Sequence, residues 1–171
     1  QTFSRAKASA DRINEVLKSP DVITDGNGVV TLGEAVQNTK GTIEFKNVSF
    51  SYPESDGQCV LENISFKVNS GETLAIIGAT GSGKSSLVHL IPRFYDATEG
   101  AVKIDGVDVR DMQLEHLRDM IGFVPQKAVL FSGTIASNLK FAGAHVTEEQ
   151  MEEAAQIAQA TEFISEKTEG Y

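Results

Sequence analysis

The sequence predicts an α/β fold in which a core strand of parallel type adjoins an antiparallel sheet, and three observations carry that prediction. The continuous apolar run Thr73-Leu74-Ala75-Ile76-Ile77 reads as a buried strand, because strands covered on both faces lose polar alternation. The stretches 42–52 and 60–68 alternate apolar with polar residues, as half-wet antiparallel strands do. Between the apolar run and a helical pattern of Leu87, Val88, Leu90 and Ile91 lies Gly78-Ala79-Thr80-Gly81-Ser82-Gly83-Lys84-Ser85. It satisfies G-x-x-x-x-G-K-[ST] at each fixed position.

The chemistry of that loop follows from its residue types. Gly78, Gly81 and Gly83 are expected to take positive φ and to let the backbone approach a ligand with no Cβ in the way. Successive N–H groups then line one concavity that suits an anion. A helix starting near Gly83 adds unpaired donors and the positive end of its dipole. Lys84 supplies a charge for outer phosphates, and the Ser85 hydroxyl is a ligand suited to Mg²⁺. Strand, loop and helix in this order predict a P-loop NTPase core.

At 171 residues the chain is long enough for one such domain and its core. A net charge of −9 argues against a nucleic-acid surface, which carries a basic stripe. Cys59 is the single cysteine, so no disulfide framework is expected. No apolar run approaches the roughly 18 residues of a membrane-spanning helix. The chain begins without methionine, in what reads as mid-helix, and ends on Glu169-Gly170-Tyr171. It is therefore expected to be a segment of a longer polypeptide.

In chain order, Phe3, Ala6, Ala10, Ile13 and Leu17 predict an amphipathic helix over 2–18, stopped by Pro20. Residues 21–40 read as a linker loop. The alternation in 42–52 breaks at Lys46-Asn47, which predicts a bulge. A turn at 69–72 leads into the loop strand, and Pro92 should end the loop helix near Ile91. A strand over 101–104, a hairpin turn at Asp105-Gly106 and a second short strand follow. Residues 114–120 predict a helix, 121–124 a second buried core strand, and 135–141 a helix opened by Ser132-Gly133-Thr134. Thr147 with Gln150 three residues on predicts a capped helix bearing Met151, Ala154, Ala155, Ile157 and Ala158 on one side. Its acidic face, Glu148, Glu149, Glu152 and Glu153, reads as solvated. Another short helix begins near Phe163-Ile164.

Taken together, several stretches resemble the nucleotide-binding domain of ATP-binding cassette (ABC) transporters of the exporter type. They are Ile43-Glu44-Phe45-Lys46-Asn47-Val48-Ser49-Phe50-Ser51-Tyr52-Pro53, the loop with Ser86 after it, residues 100–109, and Gly122-Phe123-Val124-Pro125-Gln126 with Leu130-Phe131-Ser132-Gly133-Thr134-Ile135. The resemblance covers residues 41–171. It implies residues 41–146 as the β subdomain plus P-loop core, and 147–171 as the start of a helical subdomain. Residues 1–20 would be a helix leading from a membrane domain, and 21–40 its linker. It implies that Tyr52 stacks on adenine, a role an aromatic face can fill and one that spacing alone would not assign to a strand-end tyrosine. Residues Gly78, Ala79, Thr80, Gly81, Ser82, Gly83, Lys84, Ser85 and Ser86 would hold ATP. Ser85 and Gln126 would reach Mg²⁺, with Lys84 and Gln126 serving catalysis. Taken alone, Gln126 is a surface turn residue. Lys127-Ala128 follows it, where acidic or polar residues are common in the family. Residues 127–139 resemble the surface that meets a membrane domain's cytoplasmic loops.

The family's signature sequence, its apolar strand ending in Asp followed by Glu, and its switch histidine match nothing in this sequence. His89, His116 and His145 read as packing or surface residues. The resemblance implies an ATP-binding domain on the cytoplasmic face of the cell membrane that powers efflux. Its partners would be a transmembrane domain and a second nucleotide-binding domain. Alternatives are a degenerate half of a heterodimeric transporter and a P-loop ATPase that transports nothing. With so few core strands in hand, exposed apolar surface is expected.

Overall fold

The computed structural model describes residues 2–18, 23–25, 41–53, 55, 57–143 and 145–167. Two compact units make up the chain, Gln1–Gly122 and Phe123–Tyr171. The linker expected over 21–40 lies outside the described residues, except for 23–25.

The first unit begins with helix α1, Thr2–Leu17, as its apolar spacing predicts. Ile13, Val16 and Leu17 on it are exposed. Strands β1 (Ile43–Ser51), β2 (Cys59–Val68), β3 (Glu99–Ile104) and β4 (Val107–Asp108) form an antiparallel sheet in the order β2-β1-β3-β4. The alternating residues point where the pattern requires. Phe45, Val48, Phe50, Leu61, Val102 and Ile104 are buried in one cluster, to which Leu87 and Leu90 of the loop-helix region contribute. Burying each such side chain stabilises the fold by about 1.5–3 kcal/mol.

The break at Lys46-Asn47 is a bulge, and it has a partner on β2. Asn47 and Asn63 both take positive φ, 48° and 49°. Each strand supplies the other's missing acceptor. The Asn47 N–H donates to Ser65 Oγ at 2.8 Å, the Asn63 N–H donates to Ser49 Oγ at 3.1 Å, and the two amide side chains bond at 2.9 Å. Asparagine tolerates this left-handed backbone better than most residues. The Asp105-Gly106 turn has φ of 50° and 86°, as a tight hairpin demands. Asp105 also accepts from the N–H groups of Gly41 and Thr42, which ties the start of β1 to the hairpin.

After β4, a 3-10 turn over Val109–Asp111 is capped by Asp108, whose side chain accepts from the Arg110 N–H. Arg110 adds a two-point ion pair to Asp108 at 2.7 and 3.0 Å, and reaches the Gly100 carbonyl at 2.9 Å. Burial pushes the Asp108 carboxyl up, but the Arg110 hydrogen bonds and the charges of Arg110 and Lys103 outweigh it, so its pKa lies below the ordinary value. A depressed folded pKa means stabilisation present above the unfolded pKa of about 3.9 and lost as pH falls through the folded value. Asp108→Asn is therefore expected to melt earlier than wild type at pH 7, with the gap closing below about pH 4. Parallel melts across that range check this, and a gap unchanged in acid would contradict it.

Helix α3, Leu114–Asp119, buries Leu117 completely. Its first N–H, of Leu114, is accepted by Asp25 at 2.8 Å. That satisfies one of the four donors a helix start leaves open.

The structure departs from expectation at the two core strands. Residues 72–79 pair with no strand among the described residues, and Leu74, Ile76 and Ile77 are exposed, Ile77 by 91%. Residues 121–124 likewise form no strand, and Val124 is 92% exposed. The reason is physical. A continuously apolar run becomes a buried strand only where neighbouring strands accept its N–H and C=O groups and helices cover both faces. Neither neighbour nor cover is present among the described residues, so the expected exposed apolar surface is what the structure shows.

In the second unit, α4 (Ile135–Leu139) is capped by Thr134, which accepts from the Ser137 N–H. A 3-10 turn, Lys140–Ala142, follows. Asn138 brackets Phe131, accepting from its N–H at 2.8 Å and donating to its carbonyl at 3.0 Å. Phe131 stacks on Phe141 with centroids 4.5 Å apart, and both rings are exposed. Helix α5, Glu148–Ile157, carries the expected capping box of Thr147 and Gln150 and buries Met151 and Ala155. Helix α6, Thr161–Ser165, buries Ile164.

Candidate phosphate-binding site

The loop over 78–85 leaves the exposed apolar run and ends in α2, Lys84–His89. Gly83 is the N-cap, at φ 83° and ψ 5°, a left-handed geometry that glycine takes without strain. A Cβ on Gly83 would also meet Leu61 Cδ2 at 2.8 Å and the Val60 carbonyl at 3.0 Å, so the loop lies directly on β2. Gly81 takes φ 82°. Gly78 differs from expectation and does not have positive φ. A Cβ there would stand 2.6 Å from Ser82 Oγ, so that hydroxyl would have to turn away.

The loop's donors are the feature that matters chemically. Among the described residues, the N–H groups of Gly81, Gly83, Lys84 and Ser85 bond to no protein acceptor. Lys84 Nζ folds back over the loop and donates to the carbonyls of Gly78 at 2.9 Å and Ala79 at 2.7 Å, and to Ser82 Oγ at 3.4 Å. The ammonium and the unpaired amides lie on one short loop, and each favours an anion. Ala79, Thr80 and Ser82 are exposed and contribute backbone to the loop's rim. The Ser85 hydroxyl is exposed on the first turn of α2.

Ser86 is different. It is 6% exposed, and its Oγ lies 2.8 Å from the hydroxyl of Tyr52, at the end of β1. The Tyr52 ring is half-buried and meets Phe50 and Tyr95 edge to face, at 4.8 Å and 5.1 Å. The structure thus brings together Tyr52, the glycine loop and α2, three of the stretches singled out in the sequence. The Tyr52–Ser86 bond spans 34 residues and is not legible in either local pattern. Gln126 belongs to the second unit and is exposed.

Helix α2 stops after His89, as Pro92 requires. The chain turns through Arg93 at φ 54°, whose guanidinium is buried against Asp96 at 2.7 Å. Arg118 donates to the carbonyls of Pro92 and Arg93 and holds the turn from the α3 side.

Residues 61–170 match the family model described as "ABC transporter". The chain is 44% identical over 170 residues to the putative multidrug export ATP-binding/permease protein YgaD of Bacillus subtilis, covering 99% of this chain and 28% of that protein. It is 41% identical over 167 residues to the human ATP-binding cassette sub-family B member 5, covering 97% of this chain and 13% of that one. Among solved structures, a bacterial Atm1-family ABC exporter with ATP bound superposes with a TM-score of 0.82 at 28% identity, over 99% of this chain and 29% of that one. The chain therefore spans less than a third of each of these proteins.

Proposed function

The chain belongs to the ABC transporter family, and from that premise we propose that it supplies the phosphate-holding part of the ATP site that powers an exporter. The observation that carries this is the loop itself, with four unpartnered amides and the Lys84 ammonium gathered at the start of α2. In this role Lys84 leaves the Gly78 and Ala79 carbonyls and turns to the phosphate oxygens, whose charge bonds an ammonium more strongly than a neutral carbonyl does.

Mg²⁺ fits the donor set at Ser85, an exposed hydroxyl oxygen directly after Lys84 on the same turn. When bound, the ion neutralises charge on the phosphates. For Gln126 the support is its match to the family sequence, which assigns it to the ion and to the attacking water. Tyr52 is proposed as the base platform; in support, its hydroxyl bonds Ser86 on α2.

The partners proposed are a transmembrane domain and a second nucleotide-binding domain, at the cytoplasmic face of the membrane. The exposed, stacked pair Phe131 and Phe141 supports a protein partner for the second unit, because apolar surface of this kind marks interaction sites. No helix among the described residues is long and apolar enough to cross a membrane.

Tyr52→Ala in the full-length polypeptide that carries this sequence tests the nucleotide assignment. Stacking of one base on an aromatic ring contributes about 1–3 kcal/mol. ATP affinity is expected to fall about tenfold, while inorganic tripolyphosphate, which has no base, binds as before. Equal ATP affinity in the variant would overturn the platform assignment.

A further inference from the structure

The hydroxyl pair of Tyr52 and Ser86 ties the end of β1 to the first turn of α2 at 2.8 Å. A hydroxyl removed from water costs free energy unless it is bonded, and Ser86 is 6% exposed. The partner that satisfies it is the tyrosine. Ser86 stands two residues after Lys84 and one after Ser85, on the same helical turn. Any displacement of that turn therefore reaches the Tyr52 hydroxyl. The ring has little freedom to absorb it, being flanked edge to face by Phe50 at 75° and Tyr95 at 90°. Three contacts fix the ring's position, and one of them belongs to the phosphate loop's own helix.

We propose that Ser86 is a positioning residue for the base platform: its hydroxyl holds the Tyr52 ring in register with the phosphate loop, so that base and phosphate recognition act as one unit. This rests on Tyr52 being that platform. The bond makes purine affinity depend on a hydroxyl pair that touches no part of the base. Losing the tyrosine hydroxyl leaves that of Ser86 buried without its partner, and losing either one removes the tie between the ring and α2. Losing both removes the orphan.

The test uses the full-length polypeptide carrying this sequence, with Tyr52→Phe, Ser86→Ala and the double variant, titrated with ATP and with inorganic tripolyphosphate. Tyr52→Phe keeps the ring and its contacts with Phe50 and Tyr95. It is expected to bind ATP about fivefold more weakly, the equivalent of one lost hydrogen bond, with tripolyphosphate affinity unchanged. The double variant is expected to bind ATP no more weakly than the weaker single variant. Melting temperatures run alongside show whether each variant is folded, and Tyr52→Phe, the mildest, carries the decision. The proposal is overturned if Tyr52→Phe binds ATP like wild type while Tyr52→Ala loses affinity, since the platform would then work without the hydroxyl. It is equally overturned if tripolyphosphate weakens alongside ATP in Tyr52→Phe, or if the two single losses of ATP affinity multiply in the double variant. Full ATP affinity in Tyr52→Ala removes the platform itself and the proposal with it.

Discussion

Lys84→Ala is expected to lower ATP affinity about 100-fold, the effect of removing a charge-assisted contact of roughly 3 kcal/mol in a partly desolvated site. The structure shows why the loss should fall on binding and not on folding. Lys84 Nζ contacts two loop carbonyls and Ser82 Oγ, all at exposed positions, so water replaces the ammonium there. The melting temperature should move by no more than a degree or two, in keeping with a surface substitution. Isothermal titration beside a thermal melt separates the two effects. A variant that binds ATP normally would mean the loop's amides hold the phosphates without the lysine.

Gly100→Ala is expected to destabilise the first unit by about 3–5 kcal/mol, a large share of the stability of an ordinary domain. Two penalties coincide at this position. Gly100 has φ 75°, which strains any residue with a side chain. A Cβ there would overlap the carbonyl oxygens of Lys46 and Asn47, which are backbone atoms of the β1 bulge. Backbone held by the reciprocal Asn–Ser bonds has nowhere to go. Gly106→Ala is the matched control. It shares the positive φ, at 86°, but a Cβ there meets nothing within 4 Å. It should cost only about 1–2 kcal/mol, the strain of the backbone alone. Denaturant midpoints for the two variants check the difference, and equal midpoints would show that the overlap is relieved.

Local patterns carried most of what was legible in the sequence. The loop's spacing, the alternation of β1 and β2, the Asp105-Gly106 hairpin and the Thr147–Gln150 cap each depend on residues within a few positions of one another, and the structure forms all of them. What escaped the sequence depends on residues far apart. The Tyr52–Ser86 bond, the reciprocal staple of Asn47-Val48-Ser49 with Asn63-Ile64-Ser65, and the contact that makes Gly100 a glycine are products of strand register. The apolar runs at 73–77 and 121–124 misled for a related reason. Their composition is that of core strands, but a strand is a relation between segments, and the segments described here provide no partner. Gly78 shows the same distinction at one residue, for its φ is not positive and its near contact is with the Ser82 side chain.

The residues gathered at α2 are proposed to hold the phosphates of ATP. The family's signature sequence, its apolar strand ending in Asp and Glu, and its switch histidine match nothing in these 171 residues. Phosphoryl transfer needs the whole set positioned together. The most direct measurement is steady-state ATP turnover by the purified 171-residue chain, run beside an ATP-binding titration of the same sample. The expected result is ATP binding that depends on Lys84, with no turnover above background. Sustained turnover that disappears in Lys84→Ala would contradict it.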